Sequence, residues 1–318
     1  MAEVPVYFFT GFMDSGKTSL IQQTLIQNGF AEDLDSILII SLEDGDEEYD
    51  KDEMDKIHAK VINLDEDTFN LDNLEKLDKE YLPDSVFIEY NGTWDPEKVY
   101  EEGFLPKDWM IVQSLATVDA TTFDRYLLNM RQMMVNQLKK AEVVIFNRCT
   151  DDTPRAKFRT GIKAFNRPAQ IAYEREDGTI DDRPDELPFD ITKDEIEISD
   201  SDYAIWFTDV MDNPKKYDGK IVSFIALVYN PKDGDGKLKS GTIVPGRFAM
   251  TCCVEDITFL GLKCKYKDSD KIGHKSWIHL RAKVKNEFSR EYKGKGPVLY
   301  PVSIEEAEKP EDELVYFN

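Results

Sequence analysis

Residues 11–18 read GFMDSGKT, directly after the apolar run VYFFT and at the opening of the amphipathic run TSLIQQTLIQ. The segment matches G-x-x-x-x-G-K-[ST] at a junction of strand and helix, which is where that pattern works. There, glycines let backbone N–H groups turn toward a phosphate, Lys17 reaches the β- and γ-phosphates, and the Thr18 hydroxyl can hold Mg²⁺. A chance glycine-rich turn is the competing interpretation, which the flanking strand and helix disfavour. We expect a nucleoside triphosphate to bind here, through Gly11, Asp14, Ser15, Gly16, Lys17, Thr18 and Ser19.

Outward from this loop, short apolar runs alternate with helical patterns as far as residue 147. The predicted strands are 4–10, 36–41, 85–90, 110–118 and 142–147, and the predicted helices are 17–28 and 123–140. Continuous apolar strands between amphipathic helices indicate strands that are buried on both faces. Residues 1–188 therefore predict an α/β P-loop NTPase domain with a mostly parallel sheet covered by helices.

A change of pattern marks the predicted domain boundary near residue 188. Residues 177–188 read DGTIDDRPDELP, with turn formers, prolines and no apolar period, which is typical of a linker. After it, turn signals separate predicted strands at 220–229, 247–254, 260–266, 276–284 and 298–304. Residues 189–318 therefore predict a small all-β domain, an OB-like barrel.

Composition and charge exclude some classes of protein. The 318 residues are 41% hydrophobic, which is enough to bury a core, and the formal net charge is -23. This charge disfavours a protein that grips nucleic acid through a broad basic surface, so nucleic acid is not an expected partner. Because the sequence shows neither a run of about 20 apolar residues nor a signal-peptide pattern, we expect a cytoplasmic chain without direct membrane insertion.

Acidic residues follow three of the predicted strands. Mg²⁺ usually takes one or two carboxylates besides the phosphates, and ligands of open α/β sheets bind outside the carboxyl ends of the strands. The candidate magnesium ligands are Thr18, Glu43, Glu89 and Asp119, and the candidate catalytic residues are Lys17, Asp46 and Glu89. Lys17 would stabilise charge on the phosphates, while Glu89 or Asp46 would orient the attacking water. The alternative is that these acids are solvated loop residues.

Several motifs occur in one order along roughly the first 155 residues. They are GFMDSGKTSLI, LEDGDEEYD, IEYNGTWDP, TVDATTF and KKAEVVIFNRCTD. In this order they resemble the motifs of the CobW-type GTPases, the metallochaperone-associated branch of the SIMIBI nucleotide hydrolases. The resemblance implies a GTP-dependent switch, with Lys17 and Thr18 on the phosphates and Mg²⁺, Glu43 and Asp46 in the first switch region, Glu89 and Gly92 near the γ-phosphate, and Asn147 at the guanine base.

The sequence departs from that family at the guanine-binding motif NKxD, whose final Asp accepts hydrogen bonds from guanine N1–H and N2–H₂. Here the motif reads Asn147-Arg148-Cys149-Thr150, with Asp151 one place late. Thr150 has no carboxylate, so either Asp151 swings in after a one-residue bulge or guanine selectivity is weakened. Asn147, Arg148 and Asp151 are the candidate base-binding residues.

The family's Cys-x-Cys-Cys metal motif is also absent, since residues 61–82 contain no cysteine. In the second domain Cys252 and Cys253 are adjacent and Cys264 follows, which leaves three interpretations open: buried thiols, a soft-metal site that takes zinc, or a redox pair. Adjacent residues of a strand point to opposite faces, so one of the pair would be buried while the other is free to meet Cys264 or Asp256.

The segments Y-x-G-K and R-F-x-M-x-C-C of the second domain resemble the soluble C-terminal domain of bacterial YcgQ-type permease-associated membrane proteins. This resemblance implies a GTPase fused to the soluble module of a transporter-like system, with a permease-like or metalloprotein partner. Two alternatives stay open. One is a nucleotide-gated binder of single-stranded nucleic acid, because basic residues interleave with aromatic ones between residues 263 and 295. The other is a scaffold that binds nucleotide without hydrolysis.

Overall fold

The computed structural model of the chain describes residues 3–43, 45, 47–231, 241–250 and 257–316. The predicted site residues Asp46, Cys252, Cys253 and Asp256 lie outside the described residues. The chain divides into two compact units: the first runs through Thr153 and also includes Phe165–Arg183, and the second comprises Pro154–Ala164 and the chain from Pro184 onward. Among the described helices, none has both the length and the apolar character that a membrane span requires.

Within the described part of the first unit, seven strands form one sheet in which all neighbours are parallel. The strands are β1 (Val4–Thr10), β2 (Ile37–Ser41), β3 (Ala59–Asn63), β4 (Ser85–Glu89), β5 (Trp109–Asp119), β6 (Val143–Cys149) and β7 (Gln170–Arg175). The helices are α1 (Lys17–Gln22), α2 (Lys51–Lys56), α3 (Leu71–Tyr81), α4 (Phe123–Asn129) and α5 (Arg131–Leu138). The predicted α/β class with a parallel sheet is confirmed.

The strand order β3-β2-β4-β1-β5-β6-β7 places β1 between β4 and β5. The direction in which successive strands are added reverses at β1, and such a switch point is where ligands of open α/β sheets bind. Glu89, the last residue of β4, is the register partner of Phe9 of β1 on one side and of Ser41 of β2 on the other. The ends of β1, β2 and β4 therefore meet at one edge, next to the loop of residues 11–18.

Alternate residues of the strands fill the two faces of the sheet, as expected for a sheet covered on both sides. Val6 and Phe8 of β1 belong to a core that contains Leu74 of α3. Phe9 belongs to another core, which contains Ile21 of α1. The continuous apolar run VPVYFFT thus supplies both layers at once.

Two predicted helices differ from the structure. The predicted helix 17–28 is an α-helix only through Gln22 and continues as a π-helical turn, Gln23–Gln27. The predicted helix 123–140 is two helices, because Met130 leaves helical geometry at φ -131 and ψ 37. The elements β3, β7, α2 and α3 were not predicted.

The described part of the second unit contains two helices, α6 (Arg155–Lys163) and α7 (Tyr203–Asp212), and eight strands. The strands are β8 (Glu195–Glu197), β9 (Ile221–Tyr229), β10 (Thr242–Met250), β11 (Thr258–Gly261), β12 (Cys264–Lys265), β13 (Trp277–Ser289), β14 (Gly294–Glu306) and β15 (Leu314–Tyr316). Pairing runs β10-β12-β14-β13-β9, and β9 also pairs β10, so these strands close a ring. The mostly-strand character is confirmed, while the OB-like topology stays a prediction.

Helix α7 was not predicted in the second unit, and it contributes much of the core. Tyr203 and Trp206 of α7 are buried against Phe224 of β9, with the Trp206 and Phe224 ring centroids 4.8 Å apart. The predicted strands 276–284 and 298–304 are longer in the structure and pair as a hairpin from Ile278 opposite Glu306 to Ser289 opposite Gly294. The predicted strand 247–254 begins earlier, at Thr242, and its last residues lie outside the described part of the chain.

Candidate nucleotide site

The loop of residues 11–18 approaches its neighbours through glycines. Gly11 and Gly16 have φ values of 129° and 91°, which side chains other than that of glycine rarely adopt. A Cβ at Gly92, in the loop after β4, would lie 2.6 Å from the Gly11 carbonyl oxygen. The loop after β4 therefore lies so close to the phosphate-binding loop that only a glycine fits at position 92. This close approach is consistent with a position of Gly92 near the γ-phosphate.

Lys17 is buried and paired with an acid. Its Nζ lies 2.5 Å from Glu43 Oε2, and the two side chains are 1% and 4% exposed. Nζ also donates to the carbonyl oxygens of Gly11 at 3.0 Å and Phe12 at 2.8 Å. The other Glu43 oxygen accepts the Gly92 N–H at 3.1 Å. The Glu43 carboxylate therefore takes the Lys17 ammonium, which the loop motif assigns to the phosphates, and the N–H of Gly92, which the family resemblance places near the γ-phosphate.

Glu89 is the centre of a second set of contacts. It is 3% exposed, and its Oε1 accepts the Thr18 hydroxyl at 2.5 Å. Its Oε2 accepts the hydroxyls of Ser41 at 3.1 Å and Tyr49 at 2.9 Å. Burial, and then the neighbouring Glu89 carboxylate, raise the pKa of Tyr49 well above its usual range, so Tyr49 is a neutral donor. Hydroxyl and carboxylate oxygens are the ligands that Mg²⁺ prefers, so Thr18 and Glu89 fit this ion.

The described residues of the acidic segment after β2, within residues 43–50, contact α1 along its length. Besides the Glu43 contacts, Glu47 accepts the Ser19 hydroxyl, and the Asp50 N–H donates to Gln22 Oε1 at 3.4 Å. Asp50 also caps α2 by accepting the Glu53 N–H at 3.0 Å. These contacts tie the described residues of the segment to α1 at one end and to α2 at the other.

Asp119 lies apart from the other predicted magnesium ligands. Its Oδ2 is 2.6 Å from Arg148 Nη1, and its Oδ1 accepts the N–H and hydroxyl of Thr121. Burial opposes ionisation of Asp119, but these hydrogen bonds and the Arg148 guanidinium outweigh it and lower its pKa. Arg148 also donates to the carbonyl oxygen of Asp14 at 3.0 Å. Of the four predicted magnesium ligands, Thr18 and Glu89 are hydrogen-bonded to each other. Glu43 is instead paired with Lys17, and Asp119 is paired with Arg148.

Asn147 lies against the phosphate-binding loop, because its Nδ2 donates to the Ser15 carbonyl oxygen at 2.6 Å. The pairing of β6 with β7 shifts register between Phe146 and Cys149, so the strand is bulged here. Asp151 nevertheless pairs with Arg175 at 2.7 Å and with Arg183 at 2.9 Å. The hydrogen bond and charge of Arg175 lower the Asp151 pKa. The bulge is present, and Asp151 is held in this ion-pair group.

A cavity of about 570 Å³ lies beside Asn147. Its lining includes Gly16 and Ser19 of the phosphate-binding loop and α1, together with Glu174 of β7. Sequence reasoning missed Glu174, and it missed Ser41 and Tyr49 beside Glu89. Ser41 could have been found, since it ends a buried strand at the same edge as Glu89. Tyr49 and Glu174 carry no comparable signal, because each reaches the site only through the tertiary fold.

The predicted soft-metal residues give a mixed result. Cys264 is fully buried in the core of the second unit, and burial raises the pKa of its thiol to about 12. Metal binding needs a thiolate, so this environment disfavours it at Cys264. Cys252 and Cys253 lie outside the described residues. Within the residues that the structure describes, no group of three or more His, Cys, Asp or Glu side chains is arranged to hold a metal ion.

The parallel sheet, its switch point and the loop geometry define a P-loop nucleotide-binding protein. A family model described as "CobW/HypB/UreG, nucleotide-binding domain" matches residues 5–172, more than half of the chain. The chain therefore belongs to the CobW/HypB/UreG family. A second model, "DUF1980 C-terminal domain", matches residues 175–317. The resemblances inferred from the motifs of both domains are confirmed.

The individual proteins that match this chain have low sequence identity to it. The UPF0703 protein YcgQ of Bacillus subtilis (strain 168) is 24% identical over 125 residues, which are 39% of this chain and 42% of YcgQ. The chain thus matches less than half of the length of that relative. The Zn(II)-bound YjiA GTPase from E. coli is 13% identical, with a TM-score of 0.41 over 87% of this chain and 92% of its own. Hydrogenase maturation factor HypB from Archaeoglobus fulgidus is 16% identical, with a TM-score of 0.39 over 54% and 81%.

Proposed function

We propose that the chain is a Mg²⁺-dependent GTPase that acts as a switch. One observation carries this proposal: the Glu43 carboxylate lies on Lys17 and on the Gly92 N–H, the two donors of a γ-phosphate site. A terminal phosphate that takes these donors must displace Glu43. Because Glu43 opens the segment 43–50, exchange of one anion for the other would move that segment. Family membership supports nucleotide binding in the same loop.

The site would promote hydrolysis by holding the phosphates in position and by stabilising their negative charge. Lys17 would hold the β- and γ-phosphates, and the glycine-rich backbone would orient them. Thr18 and Glu89 would hold Mg²⁺, which when bound neutralises charge on the phosphate oxygens. Ser41 and Tyr49 hold the Glu89 carboxylate in place. Glu89 would also orient the attacking water, a role that the sequence assigned to Glu89 or Asp46.

The second unit would couple this switch to a permease-like or metalloprotein partner in the cytoplasm. The match to the DUF1980 C-terminal domain and to YcgQ supports a link to a membrane-associated system. Binding of single-stranded nucleic acid is less well supported, since Lys263, Lys265 and Arg281 of the basic segment are ion-paired with Glu291, Glu287 and Glu195.

The test needs variants that do not leave a buried charge alone. Lys17→Ala by itself would strand the buried Glu43 carboxylate, which typically costs about 3–5 kcal/mol. The test therefore uses a double variant that removes both charges of the pair. Lys17→Ala/Glu43→Gln should fold and lose GTP binding by at least about 100-fold, whereas Glu43→Gln alone should bind GTP.

Phosphate release from GTP by the unmodified chain, with and without Mg²⁺, completes the test. Magnesium-dependent release that the double variant lacks would support the GTPase. Equal GTP binding by the double variant and the unmodified chain would overturn the proposed site. Tight binding of GTP without any phosphate release would instead favour the non-hydrolysing scaffold.

A further inference from the structure

The cavity beside Asn147 has a carboxylate on its wall that the NKxD pattern does not include. Asn147 of β6 and Glu174 of β7 both line this cavity, together with Gly16 and Ser19. The Gly16 backbone belongs to the phosphate-binding loop, and Asn147 is bonded to Ser15 of the same loop. A nucleotide with its phosphates on this loop would place its base in or beside this cavity.

The alternation of the two strands explains why Glu174 faces the cavity. Phe146 and Tyr173 are register partners, and their rings stack with centroids 5.6 Å apart. Successive side chains of a strand point to opposite faces of the sheet. Ile145 and its register partner Ala172 therefore point to the other face, as does Glu174, two residues after Ala172. Ile145 and Glu174 both line the cavity, as does Asn147, which follows the last regular pair where β6 bulges.

Other acids of this region already have partners. Glu47 accepts the Ser19 hydroxyl, and Glu53 pairs with Lys56 at 3.0 Å. Asp177 accepts the N–H and hydroxyl of Thr179, and Asp151 is held by two arginines. Of the carboxylates on the cavity wall, Glu174 and Glu176 make no side-chain hydrogen bond or ion pair within the described residues, and Glu176 is exposed.

Glu174 differs from Glu176 in its burial. It is half-buried, and this burial raises its pKa, because no cation or donor compensates for the lost water. A half-buried carboxylate without a partner, on the wall of a cavity, is a group that a ligand with hydrogen-bond donors would satisfy.

We propose that Glu174 determines base specificity, accepting the N1–H and N2–H₂ donors of guanine in place of the acid that the NKxD pattern lacks. This proposal rests on the proposed function of the same site. The two oxygens of a carboxylate match the two adjacent donors of guanine. Adenine presents an acceptor at N1 and no amino group at C2, so the same carboxylate would face an acceptor and gain no bond. A site built around hydrogen bonds to such donors rejects the analogue that lacks them.

The test compares Glu174→Gln with two matched variants, Glu176→Gln on the same wall and Asp151→Asn in the ion-pair group. Each full-length variant is titrated with GTP, ATP and xanthosine triphosphate, whose 2-oxo group replaces the 2-amino group of guanine. A glutamine accepts from N1–H and donates to the 2-oxo group. Glu174→Gln should therefore lose GTP affinity by at least about tenfold and gain affinity for xanthosine triphosphate. Glu176→Gln should bind GTP as the unmodified chain does, and Asp151→Asn should gain no affinity for xanthosine triphosphate.

The outcomes separate the two proposals. Failure of the unmodified chain to bind any of the three nucleotides would overturn the proposed function itself. Normal GTP binding by Glu174→Gln, or the switch to xanthosine triphosphate in Asp151→Asn instead, would overturn the role of Glu174 alone. A loss of ATP rather than GTP binding in Glu174→Gln would show that this carboxylate accepts from the adenine amino group, which also overturns it.

Discussion

At the scale of single residues, the site depends on hydroxyl groups that hold one buried carboxylate. Glu89 accepts hydrogen bonds from Thr18, Ser41 and Tyr49, so its oxygens are fixed in direction before any ligand arrives. Groups fixed in this way need little reorganisation during a reaction, which is the main advantage of a folded site over water. Tyr49 is the one of these donors that comes from the segment 43–50, and it links that segment to the sheet edge.

Tyr49→Phe removes only this link, because the ring stays and the hydroxyl is lost. A hydrogen bond to a charged group contributes about 1.5–3 kcal/mol, and Glu89 keeps its two other donors, so we expect the free energy of unfolding to fall by about 1–2 kcal/mol. Urea denaturation measures this change. Tyr126→Phe is the control, since the Tyr126 hydroxyl makes no hydrogen bond to the described residues and its ring packs on Phe12. Equal effects of the two substitutions would mean that the Tyr49 bond contributes nothing.

The half-buried Glu174 gives a second prediction at this scale, on stability in the absence of ligand. Its pKa is raised in the folded chain, so its ionisation destabilises the fold as pH rises through that value, and below its ordinary pKa the penalty is absent. Glu174→Gln should therefore be slightly more stable than the unmodified chain at pH 7, with the difference vanishing in acid. Denaturation midpoints at several pH values measure this, and a constant difference across pH would argue against it.

At the scale of elements, much of the site was predictable because it follows from strand ends. The loop of residues 11–18, Glu89 and Glu43 stand after buried apolar runs, and parallel strands bring such ends to one edge. Helix α3 could have been found from its apolar spacing and the Asn70 cap, which accepts the Asn73 N–H. The break of the predicted helix 123–140 at Met130 carries no glycine or proline signal, so local propensity gives no reason for it.

The segment 43–50 supplies a prediction that separates two roles for Glu43. As a competitor for Lys17 and the Gly92 N–H, Glu43 opposes the third phosphate more than the second, because the Gly92 N–H is assigned to the γ-phosphate alone. Glu43→Gln should then raise affinity for GTP relative to GDP, by roughly tenfold, which corresponds to about 1.4 kcal/mol. Competition titrations with both nucleotides in Mg²⁺ measure the ratio. If Glu43 is a magnesium ligand, as its position in the sequence predicted, the same variant should instead lose magnesium-dependent GTP affinity.

At the scale of the whole molecule, the sequence separates an acidic first part from a second part with nearly balanced charge, and the structure also divides the chain into two units. It does not reveal that the chain leaves the first unit at Pro154 and returns at Phe165. Helix α6 was unassigned because its burial depends on partners that come later in the chain. Arg159 of α6 forms ion pairs with Asp185 at 2.7 Å and with Asp209 of α7 at 3.0 Å. Contacts of this kind depend on the tertiary fold and leave no local pattern.

Arg159→Ala tests whether the second unit has stability of its own. Asp209 is fully buried, and although Tyr217 and Lys216 remain as partners, removal of the arginine should destabilise the second unit by about 3 kcal/mol. Burial opposes ionisation of Asp209, but the Tyr217 and Arg159 contacts lower its pKa, so this stability is present above its ordinary pKa and is lost as pH falls through the lowered value. Arg290→Ala, at an exposed arginine, is the control.

Because GTP stabilises only the unit that binds it, added GTP should shift one unfolding transition while Arg159→Ala shifts the other. A single transition that both changes shift would show that the two units unfold together.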